Sequence, residues 1–185
     1  MTLIITLVVL AVIAFAVIAI YNNLVRLRAL VREAFSGITV QLRRRADLIP
    51  NLVKTVEGYA THEKDTLEKV IAQRGNAAAA KGVEATAQAD SLMSGLIGRL
   101  LAVAEDYPEL KADENFQMLQ NELSAIEGEL QATRRYYNAT ARDLNTRVQS
   151  FPDVVVAGPF GFSTEPYYED PDESIQTAPK VEFNN

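Results

Sequence analysis

The feature that most constrains this chain is an uncharged apolar run near its start, from Leu3 to Ile20, in which Thr6 is the only polar side chain. As a helix rising ~1.5 Å per residue, this run covers ~27–30 Å, which is about the hydrocarbon thickness of a bilayer. Inside lipid, only a helix or a closed barrel satisfies its own backbone hydrogen bonds. The run therefore predicts a single transmembrane anchor over residues 1–21.

A cleaved secretory signal peptide is the alternative explanation of this run. Such peptides carry basic residues before the apolar core and small residues at the cleavage site. Here nothing basic precedes Leu3, and the exit reads AIYNN, from Ala19 to Asn23. We therefore expect a retained anchor.

The residues that follow the run predict its orientation and its lipid contacts. Tyr21 lies at the depth where an amphipathic ring is favoured at a membrane interface. Three arginines come next, Arg26, Arg28 and Arg32. The positive-inside bias places this C-terminal side in the cytoplasm and the N-terminus outside. We also expect the three arginines to contact anionic lipid headgroups.

Beyond the anchor, apolar residues recur every three or four positions from Leu24 to Ala60, which predicts that the membrane helix continues into the soluble part. Pro50 lies inside this pattern and is expected to kink the helix, because proline removes one backbone donor. A second helix is expected from about Thr61 or His62. The Ala- and Gly-rich residues 75–90 fit either a turn or a weak helical extension.

Two further helices complete the predicted bundle. One begins near Ser91 and ends at the Asp106-Tyr107-Pro108 sequence, because the residue before proline avoids the α region. The other runs from Phe116 to Phe151, with Asp113 as its N-cap. A helix of this length, ~54 Å at ~1.5 Å per residue, needs partners of similar length.

The predicted fold class is therefore all-α. A transmembrane helix is continuous with an elongated antiparallel bundle of three to four long helices, which occupies residues 22–151. Residues 152–168 are expected to form an ordered or docked aromatic extension. Residues 169–185 are expected to form an acidic disordered tail, since they are rich in acidic residues and proline.

Composition and charge narrow the chemistry. The chain has no cysteine and a single histidine, His62, so disulfides, thiolate catalysis and cysteine-ligated metals are excluded. We predict no catalytic site, no metal and no cofactor, and hence no enzyme. Ten basic and six acidic residues lie within 22–75, against one and seven within 150–185. With a pI near 4.9 and no large basic patch, nucleic acid is not an expected partner.

A candidate interaction surface combines a basic run with exposed apolar side chains. The basic run, Arg43 to Arg45, either pairs with acids of the last long helix or binds lipid phosphates or an acidic partner. The apolar stripe at 92–104 is broader than a two-helix seam needs, which suggests contact with a second copy. The predicted surface residues are Arg43, Arg44, Arg45, Leu92, Leu96, Leu100, Phe160 and Phe162.

Several segments carry a family resemblance. They are QLRRRADLIPNLVKTVEGYATHEKDTLEKVIAQR at 41–74, YNNLVRLRALVREAFSGI at 21–38, AVAEDYPELKADENFQMLQNELSAIEGEL at 102–130, RRYYN at 134–138 and FPDVVVAGPFGF at 151–162. Over residues 20–168 the chain resembles bacterial LemA family proteins, to which magnetosome proteins of the MamQ kind are similar. The resemblance implies an inner-membrane helix with its N-terminus outside and an antiparallel helical bundle in the cytoplasm. It implies no catalytic residues.

The predicted function is a membrane-anchored, non-enzymatic scaffold that self-associates at the bacterial membrane. The alternative is an adaptor or signalling partner that recruits another protein through the bundle surface and the C-terminal tail.

Overall fold

The structure is a computed structural model that describes residues 1–60 and 62–169, apart from the side chains of residues 76 and 78. Within this part of the chain there are six helices and no strand, which confirms the predicted all-α class, the long apolar N-terminal helix and the helical bundle. The helices are α1 (Thr2–Glu57), α2 (Lys64–Ala79), α3 (Val83–Glu105), α4 (Pro108–Ala112), α5 (Glu114–Gln149) and α6 (Asp153–Ala157). The predicted acidic tail lies outside the described residues from 170 onward.

The chain divides into two compact units, and α1 and α5 contribute residues to both. Unit 1 comprises Met1–Val40 and Leu130–Tyr167, and unit 2 comprises Gln41–Glu129 together with Tyr168 and Glu169 among the described residues.

Helix α1 is 56 residues long and includes both the apolar run and Pro50. Among the described residues it is the one helix long and apolar enough to cross a membrane, and none of its most apolar window is buried. Its passage through Pro50 has a tertiary cause. Ile49 and Leu52 are fully buried in the core of unit 2, so packing on both sides of the proline holds the helix together despite the missing donor.

The stretch for which the sequence left a turn or a helix open contains both. Residues 75–79 complete α2 and residues 83–90 begin α3, so α3 begins before Ser91. The break between them ends at Gly82, whose φ of 82° lies in the left-handed region that favours glycine. Helix α2 begins at Lys64, slightly after the predicted start.

Unit 2 has a core built from all of its helices. Tyr107 precedes Pro108 outside the helical region and α3 ends at Glu105, as predicted. The predicted N-cap is confirmed, because the Phe116 backbone N–H donates to the Asp113 carboxylate at 2.9 Å. The core side chains are Ile49, Leu52, Val53, Val56, Ala60, Leu67, Val70, Met93, Ile97, Leu100, Ala104, Leu110, Phe116, Leu119 and Leu123.

Unit 1 pairs the first part of α1 with the second part of α5. The Phe35 and Tyr137 rings pack with centroids 5.9 Å apart. Nearer the start of α1, Leu27 lines a common pocket with Asp143 and Arg147. Because the numbers rise along α1 as they fall along α5, the two helices are antiparallel here. The buried apolar side chains of this pairing are Leu24, Val31, Ala34, Ile38, Leu130, Tyr137, Ala141 and Leu144.

Candidate membrane-proximal site

An aromatic cluster in unit 1 surrounds the point where the apolar run ends. The Tyr21 ring packs edge-on against Phe160 and Phe162, with centroid distances of 5.1 and 5.7 Å. The Arg28 guanidinium carbon lies 4.5 Å from the Phe162 ring centroid, which is cation–π geometry. We call Tyr21, Arg28, Phe160 and Phe162 the aromatic cluster. It joins two predicted membrane-interface residues to two residues predicted for a separate interaction surface.

Local backbone geometry explains how the two phenylalanines reach α1. Gly161, between them, has a φ of 69°, which a side chain would strain. The Phe162 N–H donates to the Ala157 carbonyl at 2.9 Å, closing the chain around the end of α6. On α1, Tyr21 and Arg28 are seven residues apart and therefore share a face. The turn at Gly161 thus presents both rings to one side of the helix.

The cover on α1 extends into the apolar run itself. From Met1 to Ala19 every side chain is exposed except Val17, which is half-buried, and Ile20 is half-buried as well. Val17, Ile20, Tyr21 and Leu24 follow the spacing of one helical face. This face is therefore partly covered over the last turn of the predicted span.

Four large apolar side chains project from the segment that carries the phenylalanines. Phe151 is 83% exposed, Val155 63%, Phe160 54% and Val154 43%. We call these four residues the apolar tip. Asp153 is the single charged residue within 151–162, and it is buried and paired with Arg147 at 3.2 Å.

Residues 165 and 166 are hydrogen-bonded to α5 by side chains that were not predicted as functional from the sequence. The Asn145 amide donates to the Glu165 carbonyl at 2.9 Å and accepts from the Glu165 N–H at 2.8 Å. The Tyr137 hydroxyl donates to the Pro166 carbonyl at 2.8 Å. Burial, with a smaller contribution from the Glu165 charge, raises the pKa of Tyr137 to about 12. A neutral donor therefore holds this segment over the ordinary pH range.

A polar pocket of about 310 Å³ lies in the same unit. It is lined by Asn23, Arg26, Leu27, Asp143, Thr146 and Arg147. The Arg26 guanidinium donates to the Asn23 side-chain oxygen at 3.0 Å, and both Arg26 and Arg32 are exposed, whereas Arg28 is half-buried. Arg147 is paired with Asp153, and Asp143 lies 3.6 Å from Arg142, so the positive balance of the lining comes from Arg26.

The predicted basic run is divided by the structure. Arg43 and Arg44 are exposed, whereas Arg45 is only 3% exposed inside unit 2. Its guanidinium bonds the Asp90 carboxylate at 2.5 Å and Glu127 at 3.2 Å. The expectation that Arg45 forms part of an interaction surface is therefore wrong, while pairing with an acid of α5 is found.

Asp90 is the centre of this buried network. Its second carboxylate oxygen accepts from the Tyr168 hydroxyl at 2.6 Å, and the Arg45 guanidinium also donates to the Ser94 hydroxyl at 2.9 Å. Asp90 was missed in the sequence, although it lies three residues from both Ala87 and Met93 on the buried face of α3. An acid at helical spacing within an apolar stripe indicates a buried carboxylate that needs a partner, and this pattern would have predicted the role of Asp90.

The remaining predicted surface residues do not form one surface. Leu92 and Phe160 are exposed, Leu96 is half-buried, and Leu100 and Phe162 are buried within their units. Leu100 and Phe162 are therefore corrected to packing residues. Much of the apolar stripe at 92–104 is used inside unit 2, because Met93, Ile97, Leu100 and Ala104 belong to its core.

His62 is exposed, and within residues 1–60 and 62–169 no group of three or more His, Asp or Glu side chains is placed to hold a metal ion.

Comparison with known proteins defines the class to which this helical chain belongs. The LemA family model matches residues 34–183, so the chain is a member of the LemA family. It is 30% identical to Protein LemA of Metamycoplasma hominis over 135 residues, which cover 70% of this chain and 60% of that protein. It is 26% identical to Magnetosome protein MamQ 2 of Paramagnetospirillum magneticum over 176 residues, which cover 81% of this chain and 65% of that relative. The chain thus spans less than two thirds of the length of these relatives.

Proposed function

We propose that this protein is a membrane-anchored, non-enzymatic scaffold whose helical domain is built directly onto its anchor. One observation carries the anchoring on which the proposal depends. Helix α1 contains the exposed apolar run and, without a break, supplies the buried residues Leu24, Val31 and Ile38 of unit 1. A segment that is apolar over ~27 Å and exposed except on one face of its last turn is favoured in a bilayer. The anchor and unit 1 then share one continuous helix.

The arginines that follow the span support the proposed orientation, with the N-terminus outside and the bundle in the cytoplasm of a bacterial cell. Arg26 and Arg32 are exposed just beyond the apolar run, where they can meet lipid phosphates. The positively balanced pocket beside Arg26 offers a second place for a headgroup phosphate.

We propose that self-association uses exposed apolar side chains of unit 2. Leu92 on α3 is 62% exposed and Met118 on α5 is 59% exposed, and a second copy would remove such side chains from water. These two exposed positions take the place of the full stripe predicted from the sequence, because most of that stripe is internal.

The test uses the absence of native cysteine. In full-length protein in native membranes, Leu92→Cys supplies the only thiol, and mild oxidation is expected to give a disulfide-linked dimer. Val40→Cys, at a 54% exposed position of α1, is the matched control and is expected to stay monomeric. A single-chain mass in mild detergent, together with no crosslink at Leu92→Cys, would refute self-association. Release of the wild-type chain by alkaline carbonate would refute anchoring.

The adaptor function is supported by Arg43 and Arg44, which are exposed and could bind an acidic partner. Removing residues 170–185 tests the tail without disturbing Tyr168. An unchanged set of captured proteins after both this deletion and the pair Arg43→Glu and Arg44→Glu would exclude the adaptor.

A further inference from the structure

The apolar tip has an unusual composition for a surface exposed to water. Phe151, Val154, Val155 and Phe160 are exposed within a stretch of twelve residues, 151–162, whose one charge is buried. Within α6 the burial is one-sided, since Val156 and Ala157 pack inward while Val154 and Val155 face outward. Apolar groups gathered in this way usually mark a surface that is covered in the working protein.

The place where the tip contacts α1 indicates that lipid covers it. Phe160 touches Tyr21, the residue directly after the apolar run, with ring centroids 5.1 Å apart. The half-burial of Val17 and Ile20 shows that the cover on α1 reaches the last turn of the run. Phe160, and with it the tip, therefore lies beside the end of the apolar run, which is where the proposed anchor leaves the hydrocarbon.

Charge supports the same placement. A free carboxylate would oppose insertion next to anionic headgroups, but Asp153 is 4% exposed and paired with Arg147 at 3.2 Å. The Arg28 guanidinium is stacked on Phe162 within the cluster. An aromatic and aliphatic surface flanked by arginines is the composition favoured in the interfacial layer of a bilayer.

We infer that the apolar tip is inserted in the interfacial layer of the leaflet from which α1 emerges, forming a second lipid contact beside the anchor. The inference rests on the proposed anchoring of α1. Insertion to ~5–10 Å, the depth typical of interfacial helices, would cover all four side chains. Unit 1 would then contact the membrane at two points, the anchor and the tip, which fixes its tilt relative to the bilayer.

The experiment exploits the absence of native tryptophan, which makes any introduced tryptophan the sole reporter. Full-length Phe151→Trp and Val155→Trp, reconstituted in phosphatidylcholine–phosphatidylglycerol vesicles, report on the tip. Phe15→Trp, within the apolar run, reports on the anchor. Val40→Trp, about 28 Å further along α1 than Tyr21 at 1.5 Å per residue, is the aqueous control. Helix content measured by circular dichroism verifies that each variant folds.

With lipids brominated near the headgroup end of the acyl chain, both tip reporters are expected to lose emission intensity and shift to shorter wavelength, while Val40→Trp changes little. Quenching at Phe15→Trp without quenching at either tip position would overturn the inference and leave the anchor standing. No quenching at Phe15→Trp would overturn the anchoring, and the inference with it. Tip reporters shielded from aqueous iodide but unquenched by brominated lipid would show a protein cover, which also overturns the inference.

Discussion

Replacing Arg45 with methionine removes one charge of the buried network in unit 2 while keeping most of the aliphatic stem. The Arg45 and Asp90 side chains are 4% and 1% exposed, so water screens their interaction little. The change deletes that ion pair together with the bonds to Ser94 and Glu127. Asp90 then keeps the Tyr168 hydroxyl as a donor but loses the Arg45 guanidinium.

The expected cost follows from this burial. Leaving one member of a buried ion pair without the other costs about 3–5 kcal/mol, which for a chain of this size corresponds to a fall of roughly 6–20 °C in melting temperature. Arg44→Met is the matched control. Arg44 is exposed and donates only locally, to Gln41, so its replacement should change stability by less than ~0.5 kcal/mol.

Thermal unfolding of the full chain in mild detergent, followed by far-UV circular dichroism, measures both variants. A third variant, combining Arg45→Met, Asp90→Leu and Tyr168→Phe, removes the three linked groups together. It should be more stable than Arg45→Met alone, because no buried charge is left without a partner. Equal melting temperatures for Arg45→Met and Arg44→Met would refute the reasoning.

Three further changes test other contacts. Asp113→Ala should destabilise α5 by about 0.5–2 kcal/mol in thermal melting, because it removes the N-cap. Asp113→Asn keeps a capping oxygen and should melt near the wild-type temperature. Similar losses in both variants would show that Asp113 does not stabilise α5 as an N-cap. Asn145→Ala removes both bonds to Glu165 and should expose residues 159–168 to limited proteolysis, with unchanged cleavage contradicting their role. Tyr137 has a folded pKa of about 12 against an ordinary 10.0, so the stability it confers is complete below pH 10 and is lost as the pH rises towards 12. Tyr137→Phe should therefore lose less stability over that range in alkaline denaturation, and an identical slope would show that Tyr137 does not carry this effect.

Apolar residues that recur every three or four positions over long stretches predict most of the helices. Helix α5 is predicted from Phe116 to Phe151, because apolar residues at helical spacing over 36 residues fit only a helix. In the structure it extends over Glu114–Gln149. The break before α3 was less accessible. Gly75 and Gly82 both lie in the ambiguous stretch, and only the structure shows that the chain turns at Gly82.

The candidate site was harder to predict because its parts are distant in the sequence. Tyr21 and Arg28 were selected for the membrane interface and Phe160 and Phe162 for a separate surface, since spacing says nothing about which segments meet. Arg45 was placed with Arg43 and Arg44 because a basic run normally lies in solvent. Its burial depends on Asp90, an acid that becomes visible only when the apolar face of α3 is traced through it.

The contact of Tyr21 with Phe160 and Phe162 also bears on how the anchor would respond to bilayers of different thickness. A helix whose apolar length exceeds the hydrocarbon thickness either slides along its axis, which leaves the excess outside the bilayer, or tilts, which buries it. Here sliding deeper would carry the Arg28 guanidinium and the folded chain around Gly161 into hydrocarbon. The anchor would therefore adjust to a thinner membrane mainly by tilting, and the tilt would pass along α1 into the attached domain.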